Sequence, residues 1–314
     1  MGSLPPTASG LASPLAVQRN GEKPADRNIR EVVLGNIQFD TWYPSFYPEE
    51  LVGREVDRLY ICQWCFKYTK DRTHYVSHTK LCSGQHTPPP GREIYSHSLH
   101  SIYEVDGEEH QLFAQNLSLF AKLFLDNKSI FYDVTSFNYY LLVHTFTSPP
   151  STPQIIGFFS KEKMSWDHNN LACILVFPPW QRKGLGKILM GVSYELSRRE
   201  DRIGGPEKPL SELGRKGYMQ FWQARVARAV LGLKSKSTLS VGEVSKLCWM
   251  LPEDVVAALK EMGVLGAKKR ADGSAILWKA RIREWIGRYG LDVEPRTSED
   301  GFLEVWEPGI SGEN

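Results

Sequence analysis

The chain has 314 residues, 41% of them hydrophobic and 24% charged, with a formal net charge of +2. That length can bury a sizeable core in two or three domains. So small a charge excludes an argument for nucleic-acid binding from composition alone, and no apolar run approaches the ~18 residues of a membrane-spanning helix. The opening Met1-Gly-Ser-Leu-Pro-Pro6 carries neither the apolar stretch of a secretory signal nor the Ser/Thr that a myristoylation motif wants at its sixth position. Five cysteines, an odd number with three of them clustered, suit a reducing compartment and a metal site better than disulfides. Cytoplasm or nucleus is the expected location.

Residues 1–28 are rich in Pro, Ser, Gly and Ala, and no aromatic precedes Phe39, so a disordered tail is expected there. Residues 29–91 combine strand-like runs with Cys62-Gln-Trp-Cys65 and His78-Thr-Lys-Leu-Cys82. The spacing C-x2-C-x12-H-x3-C places two ligands on a knuckle and two on one helix face, meeting the four-coordinate requirement of structural zinc. Such a finger reads DNA in some proteins. A single one with Tyr60, Trp64, Phe66 and Tyr68 around its knuckle is expected instead to staple a module to a larger domain, with His74 a bystander.

Residues 92–234 form the expected core. Several aromatic and β-branched runs surround an amphipathic stretch from His110 to Leu125, and Pro149-Pro150 marks a loop between strands. Leu171 to Phe177 is seven apolar residues ended by two prolines, which predicts one short strand buried on both faces. After Gly186 the period changes, and Leu185, Ile188, Leu189, Val192 and Leu196 fall on one stripe of a helix. Between strand and helix lies Gln181-Arg182-Lys183-Gly184-Leu185-Gly186. A helix's first turn has unpaired N–H groups and partial positive charge, glycines allow close backbone approach, and two cations add full charge. A phosphorylated ligand, with pyrophosphate on this turn, is the natural occupant. The turn is neither a Walker loop nor a dinucleotide fingerprint. A Gly/Pro-rich loop from Ile203 to Gly214 and a helix from Lys216 to about Leu233 follow.

Residues 235–290 are expected to form a compact winged helix, with helices over Leu239–Leu247 and Leu251–Met262. Pro252, Glu253 and Asp254 stand where a helix start favours them. A hairpin with Asp272-Gly273 at its tip carries Lys268, Lys269 and Arg270 in one arm, a candidate contact with nucleosomal DNA. The acidic second helix argues for packing rather than groove reading. Residues 291–314 are left as a C-terminal tail.

Read together, the Cys-Cys-His-Cys finger, Leu123-Phe-Leu-Asp-Asn-Lys128, Ala172-Cys-Ile-Leu175, Pro178-Pro-Trp-Gln-Arg-Lys-Gly-Leu-Gly-Lys187, Ser193-Tyr-Glu-Leu-Ser197 and Gly205-Pro-Glu-Lys-Pro-Leu-Ser-Glu-Leu-Gly214 closely resemble the MYST family of histone acetyltransferases. The resemblance runs unbroken from Ile29 to Trp285. With neither chromodomain nor PHD finger ahead of it, the chain looks like the small fungal "something about silencing" branch. The resemblance implies an α/β (α+β) fold: a central GNAT-like mixed sheet between a C2HC zinc-finger module and a C-terminal helix-turn-helix module. It also implies acetyl-CoA as donor, a histone-tail lysine as acceptor (H4 foremost), accessory subunits of a nuclear complex, and a role in silencing or transcription. Arg182, Lys183, Gly184, Leu185, Gly186 and Lys187 match the family's acetyl-CoA loop, which follows Gln181. Ile174, Leu175 and Val176 match the strand along the pantetheine, and Ser211 a further cofactor contact. The family's second serine contact falls at Gln220, and its usual aromatic between the glycines is Leu185 here.

Chemistry follows from these residues. A lysine of pKa near ~10.4 must lose a proton before its nitrogen attacks a thioester, and a nearby carboxylate can take it. Glu207 matches the family's catalytic glutamate. Cys173 is either a nucleophile that carries the acetyl group or a small residue lining the thioester pocket. With no basic partner in the adjacent sequence, direct attack in a ternary complex is the favoured reading. Lys128 matches a lysine that family members acetylate on themselves, and Cys248 reads as core. The rival class is a non-catalytic chromatin-binding scaffold.

Overall fold

The structure is a computed structural model that describes residues 27–145, 153–233, 238–269 and 275–303. Most of the expected N-terminal tail, the Pro149-Pro150 loop, Arg270 and the Asp272-Gly273 tip lie outside them, as do the side chains of Lys268 and Lys269.

Strands β1 (Ile29–Leu34) and β2 (Ile37–Asp40) turn at Gly35, which sits at φ +65°. A single turn α1 (Glu49–Val52) leads to β3 (Val56–Ile61), parallel to β1, and β4 (Tyr68–Thr69) completes the order β2-β1-β3-β4. Helix α2 (Arg72–Leu81) starts at Asp71, whose carboxylate accepts from the Thr73 and His74 amides.

The central sheet is antiparallel throughout, in the order β10-β8-β7-β6-β5. Its chain order is β5 (Arg92–His97), β6 (His100–Asp106), α3 (Gln111–Lys122), β7 (Phe137–His144), β8 (Gln154–Glu162), β9 (Asn169–Leu171), β10 (Ile174–Val176), α4 (Leu185–Arg199), β11 (Gly205–Pro206) and α5 (Glu212–Gly232). Period two explains its layers. On β7, Tyr139, Leu141 and Val143 face α3 and the N-terminal sheet, while Tyr140 and Leu142 face α4 and α5. The predicted stripe Leu185, Ile188, Leu189, Val192 and Leu196 is buried. Parallel pairing occurs in β1 with β3 and in β11 with β9, outside the central sheet.

Two local expectations need correction. Leu171 to Phe177 is two strands, because Ala172 and Cys173 form a bulge between them, and Ile174 and Val176 are only half buried. The helix expected from Lys216 starts at Glu212, since Ser211 Oγ accepts from the Gly214 amide and caps it.

The C-terminal part comprises β12 (Thr238–Ser240), α6 (Val241–Cys248), α7 (Pro252–Glu261), β13 (Leu265–Lys269), β14 (Ala275–Trp278) and α8 (Lys279–Tyr289), with sheet order β12-β14-β13. A reciprocal cap of Ser240 with Glu243 starts α6. Val244, Cys248, Val255, Leu259 and Ile282 share one apolar cluster with α4 and α5, so Cys248 is core as expected. Residues 291–303, read as tail, pack back: Phe302 lies edge-on to Tyr95 at 4.9 Å, Arg199 covers its ring at 4.5 Å, and the Leu303 amide donates to Ile94 O. A lone aromatic after a polar stretch carries no periodic signal, so the sequence does not mark this packing. Among the described residues no helix is long and apolar enough to cross a membrane.

Candidate active site

Four segments converge. The bulge is the first. Ser160 on β8 faces two residues: its O accepts from the Ala172 amide at 2.7 Å and its N–H donates to Cys173 O at 2.9 Å. Its Oγ accepts the Cys173 amide at 3.3 Å. One extra residue turns the strand and re-aims the side chains that follow. Cys173 thus sits half buried at the kink, and Ile174 and Val176 show a partly open face where a ligand chain can lie.

The second segment is the turn. Phe177 donates to Ile156 O, Pro178–Trp180 makes one 3₁₀ turn, and Gln181 Nε2 donates to Val176 O at 2.8 Å. Gln181 therefore ties the turn to the strand. Arg182 at φ +63° and Gly184 at φ +78° adopt the left-handed conformation, uncommon for arginine and typical of functional turns. Gly184 is the N-cap of α4 with no side-chain cap, so the first-turn amides keep their capacity for an anion. A Cβ on Gly186 would meet nothing within 4 Å, which leaves that face open. Arg182 and Lys183 are exposed, and among the described residues neither they nor Lys187 forms an ion pair. Leu185 points into the core, where it is 8% exposed. Its side chain anchors the helix.

The third segment carries Glu207. Gly205 and Pro206 pair with Asn169 and Leu171, and the Glu207 amide donates to Leu171 O at 2.9 Å, which brings the loop beside the bulge. Partial burial first, and then the Glu162 carboxylate, hold the Glu207 carboxyl above its ordinary pKa, against the Lys128 ammonium. Lys208-Pro209 is cis. Ser211 follows as the cap of α5.

Lys128 is the fourth. It is 6% exposed in a loop after α3, where burial lowers its pKa against the pull of Cys173 and Glu207. The sequence offered Cys173 no basic neighbour, yet the fold supplies this one. Glu162 escaped the sequence reading too: it stands on another strand, and nothing local marks it.

At the zinc finger the four ligand atoms of Cys62, Cys65, His78 and Cys82 lie within 4.8 Å of one another. Cys62 and Cys82 sulfurs are 3.8 Å apart, and Cys65 Sγ is 3.3 Å from His78 Nε2. A tetrahedron with ~2.3 Å Zn–S bonds has edges of about 3.8 Å, so the set fits zinc as it stands. Phe66, at φ +58° in the knuckle, is fully buried against Phe113, Phe120 and Phe177. The finger is a staple on the core. His74 is outside the cluster.

Sequence comparison places the chain in a family. Residues 88–296, more than half of the chain, match the MOZ/SAS family. The chain belongs to that family. Residues 26–82 match the MYST family zinc finger domain. Among curated relatives, the histone acetyltransferase MOF of Drosophila melanogaster is 42% identical over 89% of this chain and 33% of its own length. The Tip60 homolog of Caenorhabditis elegans is 40% identical over 75% of this chain and 51% of its length. Histone acetyltransferase of the MYST family 1 from Arabidopsis thaliana is 38% identical over 90% and 60%. The chain thus spans less than two thirds of the length of these relatives.

Proposed function

We propose that this chain is a histone lysine acetyltransferase that moves the acetyl group of acetyl-CoA to a lysine of a histone tail, H4 foremost, in the nucleus and within a larger complex. The observation that carries the reading is the meeting of the Gln181–Lys187 turn, the Cys173 bulge and the Glu207 loop at one end of the central sheet. The open amides of Leu185 and Gly186, with Arg182, Lys183 and Lys187, suit a diphosphate. Ile174, Leu175 and Val176 would line the pantetheine arm, and Ser211 would add a contact from the start of α5.

Glu207 takes a proton from the incoming lysine ammonium. The freed amine attacks the thioester carbonyl, the C–S bond breaks, and the coenzyme leaves as thiolate, which takes up the second proton that the newly acylated nitrogen gives off. General-base assistance of this kind is worth ~10²–10⁴-fold. Glu207→Gln is therefore expected to lose most of the maximal rate at neutral pH and recover part of it at high pH; a wild-type rate would remove Glu207 as base. Calorimetry with acetyl-CoA tests the turn, and consumption of acetyl-CoA with an H4 tail peptide separates an enzyme from a scaffold.

The nearness of Lys128 to Cys173 supports a second reading, in which the thiolate accepts the acetyl group first. Cys173→Ala decides: most of the rate retained means direct attack, whereas a folded, cofactor-binding but inactive variant means an acetyl-cysteine intermediate. Lys128 itself is a candidate for self-acetylation, because an amide would end the cost of burying its charge. Acetylation unchanged in the Glu207→Gln protein would exclude self-modification. The Lys268, Lys269 and Arg270 arm is proposed as a nucleosomal DNA contact: their change to Glu should impair turnover of nucleosomes but not of free peptide.

A further inference from the structure

Asp254 is an acidic residue for which groove reading has no use. It occupies the first turn of α7 beside Glu253, which is exposed and already suits the helix start. Yet Asp254 is only 2% exposed. Burying a carboxylate is costly unless a partner compensates it. The partner is Lys208 Nζ, 2.7 Å from Oδ1, and Lys208 is the residue after Glu207. The other oxygen, Oδ2, is buried without a hydrogen-bond partner and lies against Gly205, where a Cβ would come within 2.5 Å of it. Gly204 also forms a bridge with Met250, just ahead of α7. Burial above all, with the Asp254 charge as a smaller contribution, raises the pKa of the buried Tyr194 and Tyr218 hydroxyls.

Glu207 is therefore bracketed. Before it, Gly204, Gly205 and Pro206 are held by β9 and Met250; after it, Lys208 is held by Asp254. We propose that Asp254 is a positioning residue that fixes the Glu207 carboxyl through Lys208 and the Gly205 backbone, so that the C-terminal helices complete the catalytic loop. The inference rests on the reading of Glu207 as base. Gly205 accordingly has a second duty besides its strand pairing, since any side chain there would displace the carboxylate.

The test is steady-state kinetics on the full zinc-loaded chain with acetyl-CoA and an H4 tail peptide, across pH. Misplacement of a catalytic group by a fraction of an ångström to one ångström costs up to ~10²-fold, so Asp254→Asn and Lys208→Met should each lower kcat about tenfold. The KM for acetyl-CoA and the stoichiometry of its binding should not move, which separates positioning from loss of folded protein. The losses in the double variant should be less than additive, because both single changes remove the Lys208–Asp254 pair, while Lys208→Met also removes the longer 3.6 Å contact with Glu253. Lys208→Arg, which can still reach the carboxylate, should restore most of what Lys208→Met loses. Should Asp254→Asn fail to fold, the half-exposed Lys208 decides alone. Wild-type kcat in Lys208→Met beside an inactive Glu207→Gln overturns this inference and leaves the base standing. A fully active Glu207→Gln overturns the base itself.

Discussion

At the residue scale the site turns on how neighbours set one carboxyl. As the proposed base, Glu207 would have to be ionised to accept a proton, so the rate is expected to fall as pH drops through its pKa, which burial and Glu162 hold above the ordinary carboxylate value. Glu162→Gln removes a like charge and should move the acid limb of kcat to lower pH. Lys128→Met removes the opposing cation and should move it upward. Profiles of kcat against pH check both signs, and two limbs that stay fixed would show that Glu207 does not control the step. The family motifs single out Glu207, Cys173 and Lys128 as candidates. They do not single out Glu162, because the pairing of β9 with β11 and of β8 with β10, not any local pattern, brings that strand to the loop.

At the element scale the turn and its flanking strand were legible as apolar run, glycines and helix stripe. The break in the run was not. Nothing in Leu171-Ala-Cys-Ile174 announces a bulge, which exists because Ser160 opposes two residues at once. The start of α5 was legible in principle: Ser211 followed by Glu212 is a cap and first-turn acid, hidden by the Gly and Pro around them. Ser211→Ala should lower stability by about 1 kcal/mol in urea denaturation and weaken acetyl-CoA binding. Unchanged affinity would leave Ser211 a cap alone. The finger makes a sharper prediction. Structural zinc contributes about 10–16 kcal/mol of apparent binding energy to small fingers, and Phe66 passes that constraint to Phe120 and Phe177. A strong chelator should therefore abolish transfer together with near-ultraviolet dichroism of the core aromatics, and added zinc should restore both. Full activity in metal-free protein would refute the staple.

At the scale of the whole molecule, two apolar clusters lie on opposite faces of the central sheet, and Trp180 packs against both. Finger, central sheet and C-terminal helices therefore share their cores, which predicts one cooperative unfolding transition rather than three. Phe302 tests how far that unit extends. It is 9% exposed and held by Tyr95 and Arg199, so Phe302→Ala should destabilise by about 3 kcal/mol, read as a lower denaturant midpoint with unchanged slope. A midpoint equal to wild type would place residues 291–303 outside the cooperative unit.

That returning segment has one more effect. A sheet of five strands presents two rims of unsatisfied backbone, each able to recruit a stray strand from another molecule. The Phe302 bridge to Tyr95 and the Leu303 amide on Ile94 O cover the middle of the rim along β5. Along β10, among the described residues, Gln181 Nε2 donates to the Val176 carbonyl, beside the Gln181–Lys187 turn. The C-terminal residues thus blunt one border of the sheet at Ile94 and Tyr95, where an edge strand is otherwise open to pairing with any extended, amide-bearing molecule.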